Sequence, residues 1–194
     1  CLAKDNFLYL SPYIGDMADL RATAAQEDSV ALMEQLLNIT PTKVACDPHP
    51  LYQTRKAPAK MDLPIVFVQH HYAHVLAVMA ENDESKKTIG IAFDGTGYGS
   101  DGTIWGGEIL LCDYEGFMRT DHIDSFIEAG GDAAAKDAWR SAVSLIDAVS
   151  ENRQIAASII GQLNVANDLE QRAQFFLLDN NGVTSTSVGR SEER

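Results

Sequence analysis

The chain has 194 residues, 45% of them hydrophobic, and a formal net charge of -13. That length and apolar content supply a core for one domain, or for most of a larger one, and exclude a disordered chain. The acidic balance argues against a nucleic-acid partner that needs Lys and Arg to displace counterions, and no apolar run approaches the roughly 20 residues of a membrane span. In chain order, Phe7 to Leu10 reads as a short strand, and Ser11 to Asp16 as a loop. Val30, Met33, Leu36 and Leu37 share one helical face, which predicts a helix over Glu27 to Asn38. Lys43 to Cys46 and Ile65 to Val68 are β-branched or apolar runs expected to be strands, and Gln69 to Asn82 is expected to be helical. Three further strands are predicted at Thr88 to Phe93, Ile104 to Asp113 and Phe117 to Ile123, with a hairpin loop over Asp94 to Thr103. From Lys136 to about Phe176 the pattern is helical, with breaks near Ser150 and Gly161. The polar tail Asn180 to Arg194 shows no capping or packing logic. Alternating strand and helix signals imply a layered α/β fold.

Cys1, Cys46 and Cys112 stand far apart with no CxxC pair, and Cys1 to Phe7 lacks a secretory pattern, so a soluble cytoplasmic protein is expected. Cys46 with His49 can be read as a nucleophile and base, or simply as a packed strand residue.

The chemistry concentrates between His70 and Glu108. In Gln69-His70-His71-Tyr72-Ala73-His74, positions i and i+4 of a helix share a face, so His70 and His74 can aim two imidazoles at one ion. A pair of surface histidines is the plainer alternative. Asp94 ends the strand Thr88 to Phe93 and would complete a His2Asp metal site open to water or phosphate. Gly95, Thr96, Gly97, Tyr98 and Gly99 follow it. Such glycines let backbone N–H groups approach a phosphate, or serve only a tight turn with positive φ. Glu108 is expected either to support a histidine or to be a solvated strand residue, the second being favoured. Gly130-Gly131-Asp132 is a further turn permitting close backbone approach, and Arg119 and Arg140 are the nearest basic groups.

Six segments in order resemble one family. They are Leu10-Ser11-Pro12-Tyr13-Ile14-Gly15-Asp16, Cys46-Asp47-Pro48-His49-Pro50, Val68-Gln69-His70-His71-Tyr72-Ala73-His74, Asp94-Gly95-Thr96-Gly97-Tyr98-Gly99, Trp105-Gly106-Gly107-Glu108 and Gly130-Gly131-Asp132. On these the chain is similar to HypF, the carbamoyltransferase of nickel–iron hydrogenase maturation. The resemblance implies the actin-like ATPase and sugar kinase fold, ribonuclease H-like and two-lobed, shared with the tRNA threonylcarbamoyl transferases. It implies carbamoyl transfer from carbamoyl adenylate, made from carbamoyl phosphate and ATP, to the C-terminal cysteine of a HypE-like partner. That partner then dehydrates the group toward a cyanide ligand. It implies a divalent metal, Zn or Fe, on His70, His74 and Asp94, and nucleotide contacts from Gly95, Thr96, Gly97, Tyr98, Gly99, Gly130, Gly131 and Asp132. Residues 1–190 are expected to form the first lobe and part of the linker into the second, and residues 191–194 a divergent tail. The family's preceding domains and second lobe lie outside this chain, so it is expected to be a fragment, inactive alone, of an active parent. Two other readings compete: a non-catalytic truncated module that binds metal or nucleotide, and a related threonylcarbamoyl transferase, against which the acidic balance and the Asp94 to Gly99 loop both speak.

Overall fold

The computed structural model describes residues 1–17, 19–129, 134, 138–162 and 182–187. The chain divides into two compact units, Cys1–Val68 and Gln69 onward.

In the first unit, β1 (Leu2–Lys4) and β2 (Phe7–Tyr9) form an antiparallel hairpin around Asp5, whose φ of 55° is the left-handed value that a tight turn needs. Helix α1 (Leu20–Leu37) starts seven residues before the predicted Glu27. Its first turns, Arg21-Ala22-Thr23-Ala24-Ala25, are rich in alanine and favour helix without any apolar periodicity to signal it. Asp19 caps the start by accepting the Arg21 N–H at 2.8 Å, and Asn38 closes the end in the left-handed region. Strands β3 (Val44–Cys46) and β4 (Ile65–Phe67) pair in parallel, joined through the short helix α2 (Lys56–Lys60).

The second unit contains helix α3 (His70–Glu81), β5 (Thr88–Tyr98), β6 (Ile104–Cys112), β7 (Phe117–His122), β8 (Phe126–Ala129), helices α4 (Ala138–Val149) and α5 (Arg153–Gln162), and β9 (Gly182–Ser185). Five strands make one sheet in the order β5-β6-β9-β8, with β7 also on β6. Along β6, Ile104 pairs with Ser185 of β9, and the stretch from Glu108 to Cys112 pairs with β7. The mixed α/β class is as predicted.

Helix α3 covers β5 and β6 with Tyr72, Val75 and Met79, all buried. Gly90 makes this close approach possible, because a β-carbon there would collide with the Val75 side chain. Tyr72 stacks on Phe117 at 4.9 Å and donates its hydroxyl to the Asp113 carbonyl at 2.6 Å. At the other end of the sheet, Val143, Ala156 and Ile160 form a small core with Trp139, Ile146 and Ala157. The helical break falls at Ser150 as predicted, whereas Gly161 stays within α5; residues 163–181 are outside the described set.

Two expectations need correcting. The predicted hairpin loop over Asp94 to Thr103 is mostly strand: β5 runs to Tyr98, and the turn is confined to residues 99–103. The described part of the tail, residues 182–187, does have packing logic. Gly182 to Ser185 form β9 between β6 and β8, and Ser185, Thr186 and Ser187 are buried. The Ser185 and Thr186 hydroxyls meet the buried carboxylates of Glu128 and Glu108, so a segment without apolar periodicity still packs.

Candidate metal centre

Gln69 builds the site's first turn. Its side-chain oxygen accepts the Tyr72 N–H at 2.9 Å, an N-cap that fixes where α3 begins and which face carries His70 and His74. Their Nε2 atoms face each other at 3.2 Å. Asp94 reaches them from β5 through a sheet irregularity. Between the pairs Phe93↔Gly107 and Gly97↔Trp105, β5 advances four residues while β6 advances two. Such a bulge re-aims a side chain that regular pleating would send elsewhere. Asp94 Oδ2 thereby stands 3.0 Å from His70 Nε2, and the ligand atoms of His70, His74 and Asp94 lie within 4.8 Å of one another.

The electrostatics suit this role. Burial by itself would raise the Asp94 carboxyl, but the His70 hydrogen bond and charge, the Gly95 N–H at 2.6 Å and His71 together outweigh it, so its pKa is lowered and it stays ionised. His71, with no exposed surface, is pushed down to about 4, chiefly by burial and then by His70, and is neutral at pH 7. His74 remains exposed. Beside it opens a cleft of about 570 Å³ along Val78, Ile89, Ile91 and Phe93.

The glycines after Asp94 have a packing role. A β-carbon on Gly97 would strike the His71 ring, and one on Gly99 would strike the Trp105 indole. Neither has positive φ; in this hairpin that conformation belongs to Gly102, at 80°. Gly95 spends its N–H on Asp94, while Thr96 and Tyr98 are half-buried. Gly130, Gly131 and Asp132 lie outside the described residues.

Glu108 is not a solvated strand residue. It has no exposed surface, receives Arg119 Nε at 2.6 Å and the Gly106 N–H at 3.1 Å, and accepts the Thr186 hydroxyl. Arg119 also stacks over Trp105 at 4.1 Å and reaches Asp101 at 3.3 Å. Period-two alternation on β6 could not reveal this, because the arginine that makes the burial affordable sits on the neighbouring strand. Arg140 lies over the Trp139 ring at 4.7 Å. Burial raises the Cys46 thiol, with Arg55 opposing and Asp47 adding, which fits a packed residue better than a nucleophile. His49 stacks on Tyr52 at 4.2 Å.

Residues 1–81 match the family model described as the HypF Kae1-like domain, and residues 90–191 match that of the carbamoyltransferase Kae1-like domain, second subdomain. The chain belongs to the HypF carbamoyltransferase family. Carbamoyltransferase HypF of Synechocystis sp. is 40% identical over 146 residues, which are 75% of this chain and 19% of that protein. HypF2 of Cupriavidus necator is 38% identical over 159 residues, 80% of this chain and 20% of the relative. The probable carbamoyltransferase HypF of Methanocaldococcus jannaschii is 31% identical over 198 residues, covering 98% of this chain and 26% of its own length. Among solved structures, full-length HypF in a phosphate- and nucleotide-bound form superposes with a TM-score of 0.76 at 32% identity, covering 92% of this chain and 23% of that one. HypF of T. kodakarensis gives a TM-score of 0.78 at 30% identity, with 92% and 25% covered. The α/β fold is thus the Kae1-like fold of HypF, and this chain spans about a fifth of the first two relatives.

Proposed function

We propose that this chain carries the carbamoyl-transfer site of a HypF-type enzyme acting in the cytoplasm on the path to nickel–iron hydrogenase. The substrate would be carbamoyl adenylate, formed from carbamoyl phosphate and ATP, and the acceptor the C-terminal cysteine of a HypE-like protein. The observation that carries this reading is the convergence of His70, His74 and Asp94 within 4.8 Å in a chain of this family. Two imidazoles and one ionised carboxylate fit a divalent ion of the Zn or Fe kind. When bound, such an ion supplies charge stabilisation to phosphate oxygens.

In the proposed transfer, a C–S bond forms between the acceptor sulfur and the carbamoyl carbon while the C–O bond to the phosphate of AMP breaks. AMP leaves with the electron pair, and the thiol proton passes to solvent. His70 and His74 would hold the ion from one helical turn, and Asp94, tied to the Gly95 N–H, would hold it from the sheet. Thr96 and Tyr98, both half-buried, and Gly95, Gly97 and Gly99 are the proposed nucleotide contacts that follow Asp94. Gly130, Gly131 and Asp132 complete the proposed nucleotide contacts on sequence grounds.

The test supplies the chain with Zn²⁺ or Fe²⁺, carbamoyl adenylate and a HypE-like acceptor, and reads the acceptor's C-terminal peptide by mass spectrometry. The chain is expected to hold one metal and, by itself, to transfer nothing; within a full-length parent the wild type is expected to add one carbamoyl group, and His74→Ala and Asp94→Ala to lose both the metal and the transfer. A wild type that holds no metal and behaves like both variants would overturn the proposal in favour of a non-catalytic module.

A further inference from the structure

We propose that His71 is a positioning residue for Asp94, donating its Nε2 proton to Asp94 Oδ2, and that Gln69 sets the tautomer that makes this possible. The inference rests on the metal-site reading of His70, His74 and Asp94.

The reasoning starts at the helix cap. Gln69 Oε1 accepts the Tyr72 N–H, so the carboxamide cannot flip without losing the cap. Its nitrogen is left to donate, with the Tyr98 carbonyl at 3.2 Å and His71 Nδ1 at 3.3 Å. An amide nitrogen only donates, so His71 Nδ1 must accept. In a neutral imidazole the proton then sits on Nε2. That Nε2 is buried, has no hydrogen-bond partner, and faces Asp94 Oδ2 at 3.9 Å. The ring has no exposed surface, and Gly97 lies so close that it has no room for a β-carbon, so the ring cannot turn away to solvent and Asp94 is the acceptor at hand.

The carboxylate has capacity for this donor. Oδ1 already accepts the Gly95 N–H, and Oδ2 faces His70 on one side and His71 on the other. A movement of about 1 Å brings Nε2 and Oδ2 to hydrogen-bond distance. Carboxylates that ligate metals are held by such partners, whose loss typically weakens metal binding roughly 10–100-fold. His71 would therefore touch neither metal nor substrate, and act through Asp94.

Cobalt(II) and zinc titrations of the chain test this, with the visible cobalt spectrum reporting the coordination shell. His71→Met keeps an apolar ring-sized volume without a donor and is expected to weaken both metals roughly 10–100-fold and shift the cobalt bands. His71→Gln, whose amide N–H can stand where Nε2 stands, is expected to recover most of the affinity, a rescue that a purely space-filling role would not show. The metal-free unfolding midpoint of His71→Met should equal or exceed that of the wild type. Long-range nitrogen–proton spectra of the metal-free chain should place the His71 proton on Nε2, and on Nδ1 in Gln69→Glu, where a carboxylate would accept it. If His74→Ala abolishes binding but His71→Met binds like the wild type, the positioning role fails and the metal site stands. If the wild type binds neither metal, the metal reading fails and takes the role with it. A proton on Nδ1 in the wild type overturns the part assigned to Gln69.

Discussion

Asp101 gathers four donors at the tip of the β5–β6 hairpin: the Thr103 N–H at 3.0 Å and hydroxyl at 2.7 Å, the Trp105 indole at 3.0 Å, and Arg119 at 3.3 Å. Partial burial would raise its pKa, but the Thr103 bonds, Trp105 and Arg119 outweigh it, so the folded value lies below the ordinary 3.8. A depressed carboxyl contributes stability that is fully present above its unfolded pKa and is lost as pH falls through the folded one. Urea unfolding between pH 5 and 2 is thus expected to show a steeper acid loss in the wild type than in Asp101→Asn. Gly97 offers a second contrast. Gly97→Ala drives a methyl into the His71 ring and should cost about 1–3 kcal/mol by chemical denaturation. Gly102→Ala meets open space and pays only for a φ of 80°, about 1 kcal/mol. At this scale the metal candidates were legible, since i, i+4 histidines and a carboxylate at a strand's end declare themselves. His71 and Glu108 were not, because their roles depend on partners brought by a cap, a bulge or an adjacent strand.

β9 shows what periodicity misses among elements. It has four residues, Gly182–Ser185, of which Ser185 alone is buried, and it is held by pairing with β8 and β6 and by the Ser185 hydroxyl rather than by an apolar face. Ser185 donates to Glu128 at 3.1 Å, Ser141 donates to the same carboxylate, and Thr186 donates to Glu108. Strands β5, β6 and β7 and helix α3 are legible because their apolar residues repeat with the right period, whereas β8 buries Glu128 beside Phe126 and β9 buries Ser185. Removing one partner of the buried Glu108–Arg119 pair is expected to destabilise more than replacing both. Arg119→Met should cost about 3 kcal/mol in denaturant unfolding, and Arg119→Met with Glu108→Gln considerably less. Thr186→Val, which leaves Glu108 without that hydroxyl, should cost about 1–3 kcal/mol.

For the molecule as a whole, a charge of -13 leaves no general attraction for an anionic substrate, so any such ligand must be met at a local centre. Among the described residues no helix is long and apolar enough to cross a membrane. His70, His74 and Asp94 all belong to the second unit and join a helix to a sheet. Zinc at 100 times its dissociation constant is therefore expected to add about 2.7 kcal/mol to the stability of that junction. Hydrogen exchange should show the gain as slower amides in α3 and β5, and unchanged rates there in His74→Ala. The order in which the sheet can assemble follows from β9. Whereas Arg119 and Ser141 reach Glu108 and Glu128 from 11 and 13 residues away, Thr186 and Ser185 come to the same carboxylates from 78 and 57 residues later in the chain. Closing loops of that length is slow compared with zipping the β5–β6 hairpin, whose partners are near neighbours. During synthesis, Arg119 and Ser141 can meet these carboxylates early, but the place between β6 and β8 stays open to water until residues 182–186 have left the ribosome.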